Sequence, residues 1–252
     1  MAPGLSVQLY SLREEAKAGI APVIERLGRI GYAAVEPAGF GDLTPEAFAR
    51  CLAAAGMVVS SCHVALPKPG EANAVLDQQQ ALGNSLVVVP FLRPERFADA
   101  ASIDKAAGHL NAFNEAVRSR GMRLGYHNHW WEFQQRVEGE TAHARLFRAL
   151  DSDVFAEIDT YWAQVGGADP AQVVTTLGER APLLHIKDGP ADDPAAAMTA
   201  VGDGVIDVAA IARASRAVWH VVELDRCATD MFEAVERSHS YMTSNGFAKG
   251  RA

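Results

Sequence analysis

Gly125-Tyr126-His127-Asn128-His129-Trp130-Trp131-Glu132-Phe133 joins metal-ligating side chains to aromatic rings, directly after a short apolar run, Met122 to Tyr126. If that run is a barrel strand, His127 and His129 lie on its inward face, because side chains alternate along a strand. The segment therefore predicts one rim of a metal site in a barrel. The remaining ligands must come from other parts of the chain.

Short apolar runs alternate with longer amphipathic segments from end to end of the sequence. This alternation favours βα units and a parallel sheet. The runs predicted as strands are Leu5 to Tyr10, Ala33 to Pro37, Val58 to His63, Leu86 to Pro90, Arg123 to Asn128, Phe155 to Asp159, Leu183 to Lys187 and His220 to Glu223.

Helix boundaries are predicted at residues that favour starts and stops. These are Pro22 and Gly31 for the first helix, Thr44-Pro45-Glu46 and Gly56 for the second, Asp99 to Arg120 with Gly121 for the fourth, Asp169-Pro170 for the sixth, Asp207 for the seventh, and Met231 to Asn245 for the last. Eight strands, each followed by a helix, predict a single α/β domain, a (β/α)8 TIM barrel. The alternative, an open doubly wound sheet, needs a glycine-rich loop where Tyr10-Ser11-Leu12-Arg13 stands.

The length of 252 residues and the hydrophobic content of 49% suit one large core. We expect one barrel domain over residues 1–245 and a short, frayed basic tail over 246–252. The formal net charge of -8 disfavours nucleic acid or an anionic membrane as a partner, because both attract basic surfaces. This net charge is compatible with a small anionic substrate and with association into a homo-oligomer.

The three cysteines, Cys51, Cys62 and Cys227, are scattered without C-x-x-C spacing. This indicates packing thiols in a reducing compartment. Met1 leads directly into the first apolar run, and the sequence has neither a signal-peptide pattern nor an apolar run of about 18 residues. We therefore expect a soluble, cytoplasmic protein with no membrane partner.

Ligand-type side chains recur at the carboxyl ends of the predicted strands, where TIM barrels carry their functional residues. They are Gln8, Tyr10, Glu36, His63, His127, His129, Glu157, Asp159, His185, Lys187, Glu223 and Asp225. Each one alone has a structural explanation, such as a turn cap, a solvated strand end or a core histidine. Glu157 and Asp159, however, lie two residues apart on one strand face, and such carboxylates repel unless a cation or proton joins them.

Two carboxylates and one or two histidines from four strands form a ligand set for a divalent transition ion. Mixed imidazole and carboxylate ligands suit Mn²⁺, Co²⁺, Zn²⁺, Ni²⁺ or Fe²⁺ and fit Ca²⁺ poorly. Trp130, Trp131 and Trp162 stand close behind two strand ends. Their rings predict either stacking on a sugar face or packing beneath the loops.

These residues, in this order, resemble the xylose isomerase-like TIM barrels of the sugar phosphate isomerase/epimerase type, in the subgroup with a Tyr-His-Asn-His-x-x-Glu-Phe segment. Here that segment is complete, from Tyr126 to Phe133. The other matching stretches are Val7 to Arg13, Gly31-Tyr32 with Val35-Glu36, Glu157 to Trp162, Gly166 to Pro170, His185 to Asp188, Val201 to Asp207, and Val222 to Asp225. The resemblance covers nearly the whole chain, and its motifs are specific for the superfamily rather than for a substrate.

The resemblance implies one divalent ion, Mn, Co, Zn, Mg or Fe, held by the fifth to eighth strands. Asp159, His185 and Glu223 match the last three ligands of such relatives. The first ligand is a glutamate in many of them, whereas this chain has His127 there, and His129 or Glu132 is the alternative. The less anionic ligand set implies a stronger Lewis acid.

The resemblance also implies proton abstraction next to a carbonyl through an enediolate. The outcome is isomerisation or epimerisation of a sugar, polyol or keto-sugar, or a lyase or dehydratase reaction. His63, His129 and Lys187 are the candidate bases, and Glu157 is a further catalytic candidate near the metal face. Glu36, Gln8, Tyr10, Trp131 and Trp162 are the candidate substrate-binding residues.

Two other functions are compatible with the fold. Apurinic endonucleases share this barrel and hydrolyse phosphodiesters with metal ions, but the acidic net charge opposes a DNA-facing surface. A non-catalytic carbohydrate-binding barrel is the other, and it has no need to retain costly buried carboxylates at four strand ends.

Overall fold

The parallel strands of the computed structural model, which describes residues 2–68 and 70–251, form a barrel. The barrel strands are β1 Gly4–Gln8, β2 Ala34–Glu36, β3 in two pieces, Val58–Val59 and Cys62–His63, β4 Leu86–Val89, β5 Arg123–His127, β6 Phe155–Asp159, β7 Leu183–Ile186 and β8 Trp219–Val222. Strand β1 pairs with both β2 and β8, so the ends of the chain meet in the sheet. The predicted TIM barrel is confirmed.

Strand β3 is interrupted, where the sequence predicts one continuous strand. Val58–Val59 pairs with β2, whereas Cys62–His63 pairs with β4. Between the two pieces, the Ser60 backbone N–H still donates to the Val35 carbonyl of β2 over 3.0 Å. The barrel thus closes through a strand that changes its hydrogen-bonding partner midway, and Ser61, in the break, is fully buried.

The helices lie between the strands. They are α1 Ile20–Ile30, α2 Pro45–Ala54, α3 Ala72–Leu82, α4 Ala100–Ser119, α5 Trp131–Gln134, α6 Ala142–Ala149, α7 Thr160–Val165, α8 Pro170–Leu177, α9 Val208–Ala214 and α10 Met231–Ser244. Within the described ranges, none of these helices combines the length and the apolar character that crossing a membrane requires.

Most predicted helix starts are confirmed by their capping hydrogen bonds. The side chains of Thr44, Asp99, Asp169 and Asp207 each accept a backbone N–H in the first turn of α2, α4, α8 and α9. Such caps satisfy N–H groups that have no partner within the helix. The start of α1 is the exception, because the helix begins at Ile20, two residues before Pro22.

The connection between β5 and β6 contains elements that the sequence analysis does not resolve. It holds the short α5, a two-stranded ribbon of Arg136–Val137 and Glu140–Thr141, and α6. The imidazole of His143 in α6 stacks on the Phe133 ring at 4.5 Å between centroids and is 4% exposed. Burial lowers the pKa of His143 to about 3.

This histidine predicts a loss of stability in mild acid. With a pKa near 6.5 when unfolded, His143 binds a proton in the unfolded chain first, so the folded state loses stability as pH falls from about 6.5 towards 3. Between pH 7 and 5 we expect the free energy of unfolding to fall by on the order of 2 kcal/mol more in the wild type than in His143→Phe. Urea unfolding at both pH values measures the difference. Parallel pH profiles for the two proteins would contradict it.

Residues 246–251 are packed rather than frayed, contrary to the sequence-based expectation. The Leu5 N–H donates to the Lys249 carbonyl over 2.8 Å, and the Arg251 N–H donates to the Gly31 carbonyl over 2.7 Å. Ala248 is only 3% exposed. This segment thus supplies a hydrogen-bond acceptor for the backbone at the start of β1. Residue 252 of the predicted tail and residue 1 of the predicted domain lie outside the described residues, as does residue 69.

Candidate metal and catalytic centre

Four predicted ligands converge at the carboxyl ends of β5 to β8. His127 ends β5, Asp159 ends β6, His185 lies in β7, and Glu223 follows β8 directly. One ligand atom from each of these buried residues lies within 4.8 Å of the others. We call them the outer set. The parallel register that places His185 beside Asp159 brings the strand ends together.

A second group of possible ligands lies one layer deeper in the barrel. It consists of His63, His127, Glu157 and His185, and we call it the inner set. Glu157 Oε2 lies 2.6 Å from His63 Nε2, 3.1 Å from His127 Nδ1 and 3.2 Å from His185 Nε2. Burial acts to raise the pKa of Glu157, but the charges of His185 and His63 outweigh it and hold that pKa well below its usual range.

Glu36 and Gln8 belong to this buried network. Gln8 Nε2 donates to Glu36 Oε2 over 2.7 Å, and the same oxygen lies 2.7 Å from His185 Nε2. Ser61 Oγ donates to the other Glu36 oxygen over 2.5 Å. Both Glu36 and Gln8 are fully buried, whereas Tyr10 lies at the surface and is 45% exposed. Of these three predicted substrate-binding residues, the structure therefore places only Tyr10 at the rim.

Lys187 is a buried cation surrounded by carboxylates. Its Nζ lies 2.9 Å from Asp159 Oδ2, 2.8 Å from Glu223 Oε2 and 2.7 Å from Asp225 Oδ2. Burial alone lowers the pKa of a lysine, but Asp159, Asp225 and Glu223 together raise the pKa of Lys187 well above its usual value. A lysine held in its charged form donates hydrogen bonds and does not accept a proton.

Two carboxylate oxygens of the centre suit a bound cation. Asp159 Oδ2 and Glu157 Oε1 are buried and have no hydrogen-bond partner among residues 2–68 and 70–251. Lys187 approaches Asp159 Oδ2 closely, but without hydrogen-bond geometry. Burial raises the pKa of Asp159 to about 6, although Lys187 and His185 act to lower it. The outer set, with two imidazoles and two carboxylates, therefore fits a divalent transition ion.

An aromatic group lies beside the outer set. The His129 ring stacks on Trp131 at 4.4 Å between centroids, and Phe91 packs edge-on against both rings. His129 Nδ1 is buried without a partner in the described part of the chain. Burial, followed by the charges of His127 and Lys187, lowers the pKa of His129 well below its usual value. His129 is thus a neutral imidazole with a free ring nitrogen.

The tryptophans differ in their access to solvent. Trp131 is partly exposed, whereas Trp162 is 2% exposed and lies beneath the Lys187 ammonium, 5.3 Å from Nζ. Trp130 links the two, with its ring centroid 4.8 Å from that of Trp162. Trp131 is therefore accessible from solvent, whereas Trp162 mainly packs against the Lys187 ammonium.

Glu132 is occupied by local hydrogen bonds. Its oxygens accept from the Tyr126 hydroxyl over 2.6 Å and from the His129 backbone N–H over 2.9 Å. Burial raises the pKa of Glu132 to about 8. Neither Glu132 nor His129 belongs to the two ligand sets found in the described residues. This arrangement favours His127 as the fifth-strand ligand.

Asp188 is a structural residue that sequence reasoning did not single out. Its buried carboxylate accepts from the backbone N–H groups of Gly189, Gly202, Gly204 and Ile206 over 2.9 to 3.1 Å. A Cβ on Gly204 would lie 2.1 Å from Asp188 Oδ1, so only glycine allows this approach. The sequence shows an aspartate and several glycines after β7, but this pattern alone does not predict that the aspartate accepts hydrogen bonds from backbone N–H groups farther along the chain.

Residues 24–217 match the xylose isomerase-like TIM barrel family, and the chain belongs to that family. The resemblance predicted from the sequence is thereby confirmed at the family level.

One relative matches about half of this chain in sequence, and solved structures match nearly the whole chain in fold. A 2-epi-5-epi-valiolone 7-phosphate 2-epimerase from an Actinoplanes species is 30% identical over 129 residues, which is 51% of this chain and only 45% of that protein. A sugar phosphate isomerase/epimerase from Parabacteroides distasonis has a similar structure, with a TM-score of 0.81 at 24% identity over 99% of this chain and 96% of that one. A crystal structure of the IolI protein with a zinc atom has a TM-score of 0.73 at 15% identity, over 98% of each chain. At these identities the structural matches establish the fold.

Proposed function

We propose that this protein is a divalent-metal-dependent sugar isomerase or epimerase, or a related lyase or dehydratase, acting through an enediolate at the mouth of the barrel. The observation that carries the proposal is the convergence of four buried residues, with one ligand atom of each within 4.8 Å of the others: His127, Asp159, His185 and Glu223. The epimerase relative supports a sugar-like substrate.

The outer set would hold one ion, Mn, Co, Zn, Mg or Fe. When bound, such an ion supplies Lewis acidity that polarises a carbonyl and makes the adjacent C–H more acidic. A ligand set with two imidazoles and two carboxylates carries fewer negative charges than a set with three carboxylates. The bound ion would therefore be a stronger Lewis acid.

His129 is the candidate base for the substrate's α proton. Its ring is neutral, its Nδ1 has no partner among the described residues, and stacking on Trp131 fixes its orientation. The lowered pKa keeps the imidazole neutral, and a neutral imidazole has one ring nitrogen with a lone pair that can accept a proton. His63 is the second candidate, and its 2.6 Å contact with Glu157 would orient it.

Lys187 is proposed to stabilise the developing oxyanion. A fixed ammonium next to an enediolate oxygen lowers the energy of the charged state, as preorganised donors do. Trp131 and Tyr10 are the residues proposed to contact the sugar, with the Trp162 ring packed against the Lys187 ammonium. Gln8 and Glu36 are bonded to each other in the interior, so we assign them to the support of the centre.

Deuterium exchange tests the proposal. Incubation of the metal-loaded protein with a panel of ketoses and 3-keto sugars in D₂O should place deuterium at the carbon next to the carbonyl for at least one compound. No exchange with any member of the panel would count against enolisation. Cleavage of an abasic-site DNA duplex by the same preparation would favour the phosphodiesterase alternative.

Replacement of the candidate base gives a second prediction. We expect His129→Gln to slow exchange by about 100-fold or more, because general base catalysis contributes on that order, while the metal content stays unchanged. His109→Gln, on the exposed face of α4, is the matched control and should exchange at the wild-type rate. If His63→Gln abolishes exchange and His129→Gln does not, His63 is the base.

A further inference from the structure

The inner and outer sets share two histidines, and each ring spans both layers. His127 Nε2 lies 3.6 Å from Asp159 Oδ2 in the outer set, while its Nδ1 lies 3.1 Å from Glu157 Oε2. His185 Nδ1 lies 2.8 Å from Glu223 Oε2, while its Nε2 lies 2.7 Å from Glu36 Oε2. The two rings therefore face the outer set with opposite nitrogens.

This geometry prevents both sets from holding an ion with neutral histidines. A neutral imidazole has one N–H and one lone pair, so a ring that ligates through one nitrogen carries its proton on the other. That proton is normally donated to a carboxylate or carbonyl, which fixes the tautomer and the ring orientation. Two ions at once would require both His127 and His185 to lose both ring protons.

We propose that Glu157 and Glu36 are positioning residues that fix His127 and His185 in opposite tautomers. Glu157 holds the proton of His127 on Nδ1 and leaves Nε2 for the ion, whereas Glu36 holds the proton of His185 on Nε2 and leaves Nδ1. The centre then binds one ion, in the outer set. This inference rests on the metal site of the proposed function and adds which atoms bind the ion and why.

Glu36 is itself held in place for this role. Gln8 Nε2 and Ser61 Oγ donate to its two oxygens over 2.7 Å and 2.5 Å. The side chain is fully buried, so its carboxylate cannot turn to water. Ser61 lies in the break of β3, between Val58–Val59 and Cys62–His63. A residue of this break thus helps to hold the carboxylate that contacts His185.

Glu157 forms hydrogen bonds with two histidines of the centre through one oxygen, and fewer hydrogen bonds hold its side chain than hold Glu36. Its Oε2 also lies 2.6 Å from His63 Nε2, and its Oε1 has no hydrogen-bond partner among the described residues. A carboxylate that accepts N–H groups from His63 and His127 orients both rings at once. This makes Glu157 a common support for the ligand His127 and for a candidate base, rather than a proton-transfer group of its own.

The contrasting arrangement is an ion in the inner set. There His127 would bind through Nδ1 and His185 through Nε2, with His63 and Glu157 as the other ligands. The proton of His185 would then lie on Nδ1 and be donated to Glu223. The two arrangements therefore predict opposite tautomers for the same two rings.

Imidazole NMR of the full-length protein distinguishes them. Uniformly ¹⁵N-labelled protein is titrated with Zn²⁺, a diamagnetic probe, and long-range ¹H–¹⁵N spectra are assigned with His127→Gln and His185→Gln. We expect saturation at about one equivalent, with His127 as the Nδ1–H form and His185 as the Nε2–H form. The opposite pair of tautomers, or a second equivalent bound with similar affinity, would overturn the proposal.

Zn²⁺ affinity provides the second readout. Glu36→Gln and Glu157→Gln should each weaken Zn²⁺ binding by about 10- to 100-fold, the usual effect of removing a carboxylate that orients a ligand. The control is Glu140→Gln, in the two-stranded ribbon away from the centre, which should bind Zn²⁺ as the wild type does. Unchanged affinity in both variants, with the histidine tautomers retained, would also overturn the proposal.

The tests separate this inference from the proposed function. Zn²⁺ bound through the expected nitrogens, without deuterium exchange for any sugar, would leave the tautomer assignment intact and count against isomerase activity. Exchange activity with the opposite tautomers would support the activity and refute the positioning role. Failure of the wild type to bind Zn²⁺ would refute both.

Discussion

Asp159→Asn is expected to lose both the bound ion and the α-proton exchange. The substitution keeps the shape of the side chain, and the remaining amide oxygen can still accept the Trp162 N–H that caps α7 over 2.8 Å. It removes the negative charge at Oδ2, the oxygen that lacks a hydrogen-bond partner among the described residues. We expect bound metal to fall from about one ion per chain to near zero and exchange to fall by more than about 100-fold, since loss of a carboxylate that only orients a ligand already costs about 10- to 100-fold.

The measurement is metal analysis of protein purified without added ions, alongside exchange in D₂O. Asp153→Asn is the matched control, because that carboxylate lies on an exposed turn before β6, where it pairs with Arg118 and accepts from Asn114 rather than from a residue of the centre. Equal metal content in Asp159→Asn, the control and the wild type would show that Asp159 is not a ligand.

The same residue predicts how ion binding depends on pH. In the absence of an ion, burial raises the pKa of Asp159 to about 6. A proton and an ion compete for the same carboxylate. Burial acts to lower the pKa of the ligand His185, but the carboxylates around its imidazole raise that pKa well above the usual value. Affinity should therefore rise as pH increases through about 6 and continue to rise above it. Titrations between pH 5 and 7.5 would detect the change. A flat profile over this range would mean that another group controls binding.

Lys187→Met is expected to destabilise the ion-free protein strongly and to make it dependent on metal. Lys187 lies within 3 Å of Asp159, Glu223 and Asp225, and it is 1% exposed. Removing one partner of a buried ion pair leaves uncompensated charge, which typically costs about 3–5 kcal/mol. A divalent ion in the outer set neutralises two of the same carboxylates, so Zn²⁺ should raise the melting temperature far more in the variant than in the wild type.

A second substitution separates lost charge from lost packing. Lys187→Met with Asp225→Asn removes one of the three carboxylates, and Asp225 is the most exposed of them. We expect the double variant to recover part of the stability of the ion-free protein, because the two residues interact directly. If it is no more stable than Lys187→Met, the loss comes from packing. Exchange should remain at least about 100-fold slower in both, since the oxyanion loses its fixed cation.

The barrel follows from periodicity and from capping residues. Apolar runs at regular spacing predict strands, and residues such as Asp99 and Asp169 predict helix starts, because both signals are local in sequence. The break in β3 depends on which neighbouring strand supplies each hydrogen bond, and that information is not local. The ribbon between β5 and β6 cannot be predicted in this way, because each of its strands has only two residues and shows no period.

The sequence predicts which residues form the candidate site, but it does not predict which of them contact each other. Alternation along β6 places Glu157 and Asp159 on one face, and the carboxyl ends of parallel strands meet at one edge. Whether Glu157 meets His127 or His63 depends on the tilt and stagger of the strands around the barrel. The nitrogen that each histidine presents depends on its rotamer. Sequence reasoning therefore found the residues without distinguishing the two layers.

The carboxylate of Asp188 joins the beginning and the end of the loop after β7 through backbone N–H groups of Gly189 and Gly202. The segment between those glycines is exposed near its middle, as at Asp192 and Asp193, and buried at Met198 and Val201, while His185 and Lys187 lie in the strand and at its end. We therefore expect substitutions in residues 190–197 to leave His185 and Lys187 in place. Variation in this loop then need not change the strand that carries those two side chains.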